Sequence, residues 1–132
     1  MSVSVADAVA IYDLIGRYCY YVDHNGGDEW AALYTEDGEA VGMLPEPVIG
    51  RAQLRRVPID SYERFGGKCV HQITNPMIDY GATADEALVK ATGLVTMWTN
   101  GGSLFCGVNY DIALVRIDGS WKIRLNKVRL LT

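Results

Sequence analysis

The chain has 132 residues, a formal net charge of −4 and 49% apolar residues, which suits one domain with a single core. No apolar run reaches the length needed to span a bilayer, and Arg55-Arg56 is too short to form the basic face that nucleic acid requires. The start, MSVSVADAVA, lacks the basic residues and cleavage site of a secretory signal, so a cytoplasmic location is expected. Cys19, Cys69 and Cys106 are scattered without a CxxC pair and read as small buried hydrophobes in a reducing compartment, neither a disulfide nor a zinc framework.

Ser4 followed by Asp7 resembles a capping box, and Ile11, Leu14, Ile15, Tyr18 and Val22 then recur at helical spacing as one apolar face. Asn25-Gly26-Gly27 tolerates the left-handed backbone that ends a helix. Asp28 is expected to cap a short second helix presenting Trp30, Leu33 and Tyr34, with Gly38 at its end and a short strand over 39–43. A third helix is expected from about Ala52 to Phe65, strained or broken at Pro58.

Beyond it the period changes. Residues 69–79, 86–99, 104–117 and 121–130 are rich in β-branched and aromatic residues, with hairpin turns expected at Gly101-Gly102 and Asp118-Gly119. Gly93 and Gly107 lie mid-strand, where a kink would let long strands bend. Helices first and a sheet afterwards predict an α+β domain. The expectation is a cone: three N-terminal helices packed in a strongly curved sheet, with an apolar cavity open at the mouth.

The segments AIYDLIGRYCYYVDHNGGDEWAALYTEDGEAV, HQITNPMIDY and ALVRIDGSWKIRLNKV, in that order, resemble the SnoaL-like branch of the NTF2-like superfamily over nearly the whole chain. Within it the pattern is most similar to the dehydratase-like group, which includes scytalone dehydratase, bile acid 7α-dehydratase and hexachlorocyclohexane dehydrochlorinase. The resemblance implies catalysis without metal or organic cofactor, by an aspartate after the first helix and a histidine on the strand after the third. Here those places are held by Asp23 and His71, and Tyr18 matches a tyrosine of the bile acid enzyme. The dehydrochlorinase has a lysine near that tyrosine position, so dehalogenation is less favoured. Scytalone dehydratase uses a further histidine that this chain, with only His24 and His71, does not supply.

The chemistry of such a set follows from its parts. Imidazole exchanges protons near neutral pH, a carboxylate on its other nitrogen fixes the tautomer, and a phenol donates to an oxygen that gains negative charge. Tyr18, Asp23 and His71 would thus serve proton abstraction followed by loss of water, or an enol-type isomerisation. Each also has a plainer reading: Asp23 as a solvated helix end, His71 as a bonded core histidine beside Cys69 and Ile73, and Tyr18 as a core aromatic. His24 is read as exposed.

Tyr34, Asn109 and Trp98 are the candidate pocket residues. Asn109 qualifies only if the face it shares with Phe105, Gly107 and Asp111 lines the cavity, and either Met97 or Trp98 should reach it. The segment 42–50 could form part of the mouth. The leading expectation is a cofactor-independent lyase or related isomerase acting on a small hydrophobic, carbonyl-bearing or polycyclic molecule. Alternatives are a binding or assembly module, such as a ring-hydroxylating oxygenase small subunit, and a polyketide cyclase or epoxide hydrolase. The hydrolases' Asp-Arg-Asp set cannot be placed here. No metal, nucleic acid or membrane partner is expected. An exposed apolar sheet face predicts a homo-oligomer, a trimer ahead of a dimer.

Overall fold

The computed structural model describes residues 2–131; Met1 and Thr132, the ends of the expected single domain, lie outside the described residues. The order of elements is α1 (Val5–Asp23), α2 (Gly27–Ala32), β1 (Tyr34–Val41), β2 (Val48–Ile49), α3 (Arg51–Leu54), α4 (Arg56–Phe65), β3 (Cys69–Tyr80), β4 (Glu86–Met97), β5 (Ser103–Ile117) and β6 (Ser120–Leu130).

Ser4 caps α1 by accepting the Asp7 N–H. The helix buries Ile11, Leu14, Ile15, Tyr18 and Val22, the stripe its spacing defines. It stops at His24, and Asn25 takes the left-handed conformation with φ 60°. At the other end of the molecule, Asp7 joins α1 to the sheet. It accepts from the Tyr80 hydroxyl and from Arg116 Nη1 at 2.6 Å, while Arg116 Nε reaches Asp85 at 3.0 Å and its guanidinium lies over the Trp121 ring.

The second helix is shorter than expected, and Tyr34 is not on it. Although Trp30, Leu33 and Tyr34 fit helical spacing, the Leu33 carbonyl accepts the Ile123 N–H at 2.8 Å and so ties the chain to β6. Tyr34 therefore opens β1, and Gly38 sits inside that strand within a register irregularity instead of ending a helix. Gly26, not Asp28, is the N-cap of α2; Asp28 instead pairs with Arg55 at 2.8 Å. The expected third helix is two helices divided at Arg55. Pro58 does not break it, because in the first turn of α4 its missing N–H would have had no helical acceptor.

The six strands form one mixed sheet in the order β2-β1-β6-β5-β4-β3, with β1 parallel to β6 and every other pair antiparallel. The sheet is open and not strongly curled, which corrects the expected cone. The two-residue β2 and the long β3 are its edges, and no ladder joins them. The helices cover one face instead of being enclosed. That face carries Val89, Ala91, Val108, Tyr110, Ile112 and Leu114 into the core. The opposite face exposes Met77, Leu88 and Leu94 among polar residues.

Asp118 and Gly119, at φ 50° and 79°, make the β5–β6 turn with the positive φ pair of a type I′ hairpin. Gly93 is not a kink. A Cβ there would stand 2.4 Å from Tyr110 Cε2, so the glycine leaves room for the Tyr110 ring. The register shifts fall elsewhere, between Thr74 and Met77, between Val95 and Thr96, and between Ala113 and Leu114. No helix among the described residues is long and apolar enough to cross a membrane.

Candidate active site

The C-terminus of α1 meets the start of β3. Asp23, the last residue of α1, turns its carboxylate onto His71, 48 positions later: Oδ1 lies 2.7 Å from Nδ1, and Oδ2 accepts the His71 backbone N–H at 2.9 Å. The Asp23 side chain is only 7% exposed, whereas that of His71 is 20% exposed. With Nδ1 held by the carboxylate, Nε2 has no hydrogen-bond partner among the described residues. A carboxylate on Nδ1 selects the tautomer whose Nε2 carries a free lone pair. The part-exposed ring thus presents an acceptor nitrogen that the protein leaves unpaired among the described residues.

His71 stands opposite Val95 on β4, which stands opposite Cys106 on β5, so these side chains share the face towards the helices. Cys69 and Met97 are the next pair on that face. All three cysteines are free; Cys19 and Cys69 lie close enough to Asp23 to feel its charge, and Cys106 lies near Cys69. Burial, and then the Asp23 charge, push the Cys19 and Cys69 thiols up to about 11, and burial raises Cys106. All three are protonated at neutral pH, and Cys19 and Cys69 are apolar neighbours of the pair. Phe105 falls in the register shift of β5 and packs edge-on against Phe65 of α4, ring centroids 5.7 Å apart.

Tyr18 is buried between Trp30 and Tyr110. Its hydroxyl oxygen accepts from Asn126 Nδ2 at 2.8 Å and lies 4.0 Å from Met43 Sδ. Burial raises its pKa well above the ordinary value against the lowering effect of Asn126, so it remains a neutral phenol able to donate. No hydrogen bond joins Tyr18 to Asp23 or His71 among the described residues. Tyr34 is buried in the same cluster and also accepts from Asn126 Nδ2, at 3.1 Å.

Two expected pocket residues are placed elsewhere. Asn109 lies on the outer face between Thr92 and Arg129, because the apolar alternation of β5 sends Val108 and Tyr110 inward. Trp98 follows the end of β4 and is half exposed; its indole donates to Thr96 Oγ1 at 2.9 Å and lies over Gly102. Met97 is the one that shares the face of His71. His24 is exposed, stacked on Tyr20.

Sequence reasoning missed Asn126. Trp121 and Ile123 set an inward phase that would turn residue 126 outward, but the register shift opposite Ala113 and Leu114 inserts one residue and reverses the phase. The readable signal was local: apolar Val128 continues the inward row only if Asn126 belongs to it.

This α+β arrangement is that of the NTF2-like proteins. An NTF2-like protein with a cystatin-like fold from Novosphingobium aromaticivorans superposes with a TM-score of 0.88 at 19% identity, covering 96% of this chain and 83% of that one. The chain belongs to the SnoaL-like domain family, whose profile matches residues 3–126. Among other similar structures, an Asp-to-Asn variant of Rv3472, a Mycobacterium tuberculosis protein of unknown function, has a TM-score of 0.84 at 26% identity, covering 96% of this chain and 72% of that one. A candidate scytalone dehydratase from N. aromaticivorans has a TM-score of 0.83 at 24% identity, covering 97% of this chain and 86% of that one. No curated protein matches the chain.

Proposed function

We propose that this SnoaL-like protein is a cofactor-independent lyase of dehydratase type, or a closely related isomerase, acting on a small hydrophobic molecule that carries a carbonyl group. The observation behind this reading is the Asp23 carboxylate on Nδ1 of the part-exposed His71 ring, which leaves Nε2 without a partner among the described residues.

In the proposed reaction Nε2 of His71 removes a proton from the carbon next to the carbonyl, and Asp23 stabilises the imidazolium that forms. The electron pair of the broken C–H bond moves towards the carbonyl as an enolate, whose oxygen receives a hydrogen bond from Tyr18. Collapse of the enolate forms the C=C bond and breaks the C–O bond at the β-carbon. The proton on Nε2 leaves with the hydroxyl as water. If no β-hydroxyl is present, return of the proton to a different carbon gives an isomer. The Phe65–Phe105 pair and Met97 support an apolar substrate body near the reacting carbon.

A thermal-shift screen of steroids, aromatic hydroxyketones and polyketide-like compounds should yield ligands, and turnover of those ligands should be lost in His71→Gln and Asp23→Asn. Turnover that survives both variants would overturn the reading. Ligands that bind without turnover would favour a carrier or assembly module instead.

A further inference from the structure

Polar groups from three elements meet in the core beside the proposed site. Asn126 of β6 and Tyr34 of β1 are fully buried, and Tyr18 of α1 is nearly so. Removing an amide and two phenols from water is unfavourable unless their hydrogen bonds are made, yet Asn126 Oδ1 has no partner among the described residues. The cluster is thus an expensive way to fill a core, and the direction of its bonds shows what it can do.

An amide NH₂ only donates. The oxygens of Tyr18 and Tyr34 both accept from Asn126 Nδ2, at 2.8 and 3.1 Å, so each phenol must send its own proton elsewhere. For Tyr18, whose oxygen also meets the hydroxyls of Tyr34 and Tyr110, that direction is towards Met43 Sδ, 4.0 Å away. A thioether is a weak acceptor on a flexible side chain and is readily replaced by an oxygen. Met43 stands on the irregular segment 42–47 between β1 and β2. Register places this segment at the same end of the sheet as His71: β1 ends beside Lys127, Val128 faces Tyr110, and β5 leads from there back to Cys106, opposite Val95 and His71.

We infer that Asn126 is a positioning residue: it fixes the direction of the Tyr18 hydroxyl, whose proton is offered where Met43 Sδ lies, and a substrate carbonyl oxygen takes that place. The inference rests on the proposed reading, in which Tyr18 donates to the substrate. It adds that segment 42–47 yields to the ligand and that the recognised group is an acceptor oxygen, which forms a stronger bond than sulfur as charge develops on it.

Asn126→Asp tests this with almost no change of shape. A carboxyl oxygen in place of Nδ2 accepts instead of donating, so both phenols turn their protons inward and Tyr18 no longer offers one. The probe is 4-nitrophenol, whose anion is distinguished from the neutral form by its absorbance. Bound to the unaltered protein, its pKa should fall by about one unit or more, a tenfold or greater preference for the anion. The shift should vanish in Asn126→Asp and in Tyr18→Phe, with the unfolding midpoint recorded for each. Met43→Ala should bind the probe several-fold more tightly, a check that does not depend on Asn126→Asp folding. A shift retained in Asn126→Asp but lost in Tyr18→Phe overturns the role of Asn126 and leaves the donor role of Tyr18 standing. A shift retained in Tyr18→Phe removes both. No binding or no shift with the unaltered protein also overturns the inference, whereas loss of turnover in His71→Gln tests the base independently.

Discussion

Asp23→Ala breaks the joint between α1 and β3. It removes the acceptor of the His71 backbone N–H at 2.9 Å and the partner of Nδ1 at 2.7 Å together. The His71 ring, with a side chain 20% exposed, can turn to water, so the lasting loss is the backbone N–H. A buried donor left without its partner costs about 1–3 kcal/mol. Against this, a carboxylate in the last turn of a helix opposes the macrodipole, and its removal returns about 0.3–1 kcal/mol. Taking the middle of each range, the net destabilisation is about 1.4 kcal/mol, and a domain of this size should lose roughly 4–7 °C in Tm. Urea unfolding followed by tryptophan fluorescence, together with thermal unfolding followed by circular dichroism, measures both. Asp28→Ala is the control: Asp28 is a 75% exposed partner of Arg55, and its loss should stay within about 0.5 kcal/mol. Asp23→Asn keeps an acceptor for the N–H and should recover most of the stability while lowering kcat by about 10²–10⁴. An Asp23→Ala protein no less stable than Asp28→Ala would refute the claim that this carboxylate holds the joint.

Gly93→Ala should destabilise by about 1–3 kcal/mol in urea titration through overpacking, because its Cβ meets Tyr110 at 2.4 Å. Gly16→Ala, with open space around an exposed helical position, should stabilise by about 0.5–1 kcal/mol. The Tyr80 hydroxyl, with help from Arg116 and against the effect of burial, holds Asp7 below the ordinary carboxylate pKa. Its stabilisation is complete above the unfolded value near ~4 and is lost as pH falls through the folded value. Stability measured against pH should accordingly decline less steeply in acid for Asp7→Asn than for the unaltered protein. Association through the sheet face that exposes Met77, Leu88 and Leu94 should give a trimer in sedimentation equilibrium and a smaller species in Leu88→Glu. A single 14.5 kDa species for the unaltered chain would contradict it.

The long strands were legible because their signals are local: β-branched alternation over β3 to β6 and a positive-φ turn at Asp118-Gly119. Helix α1 carried its own cap and apolar stripe. What escaped was decided by distant partners. Leu33 keeps helical dihedrals as the C-cap of α2, but its carbonyl is taken by Ile123, 90 positions away, and no local pattern around Trp30 and Tyr34 records that bond. The open sheet likewise depends on which strands fail to meet. In the site, alternation put His71 on one face with Cys69 and Ile73, and the resemblance named Asp23 as its partner. Alternation also misplaced attention on Asn109, since its polar row on β5 faces outward. Asn126 was hidden by a register shift that reverses the phase of β6, and Met43 by a segment without regular structure.

The central claim is that Nε2 of His71 is a base, and proton exchange tests it without requiring the natural reaction to be known. Carbonyl ligands from the thermal-shift screen should be incubated with the protein in deuterated water and followed by NMR at the carbon next to the carbonyl. The account predicts deuterium uptake at that carbon with the unaltered protein and none above background with His71→Gln. Equal uptake with both proteins, or none with either while the ligand is bound, would contradict it.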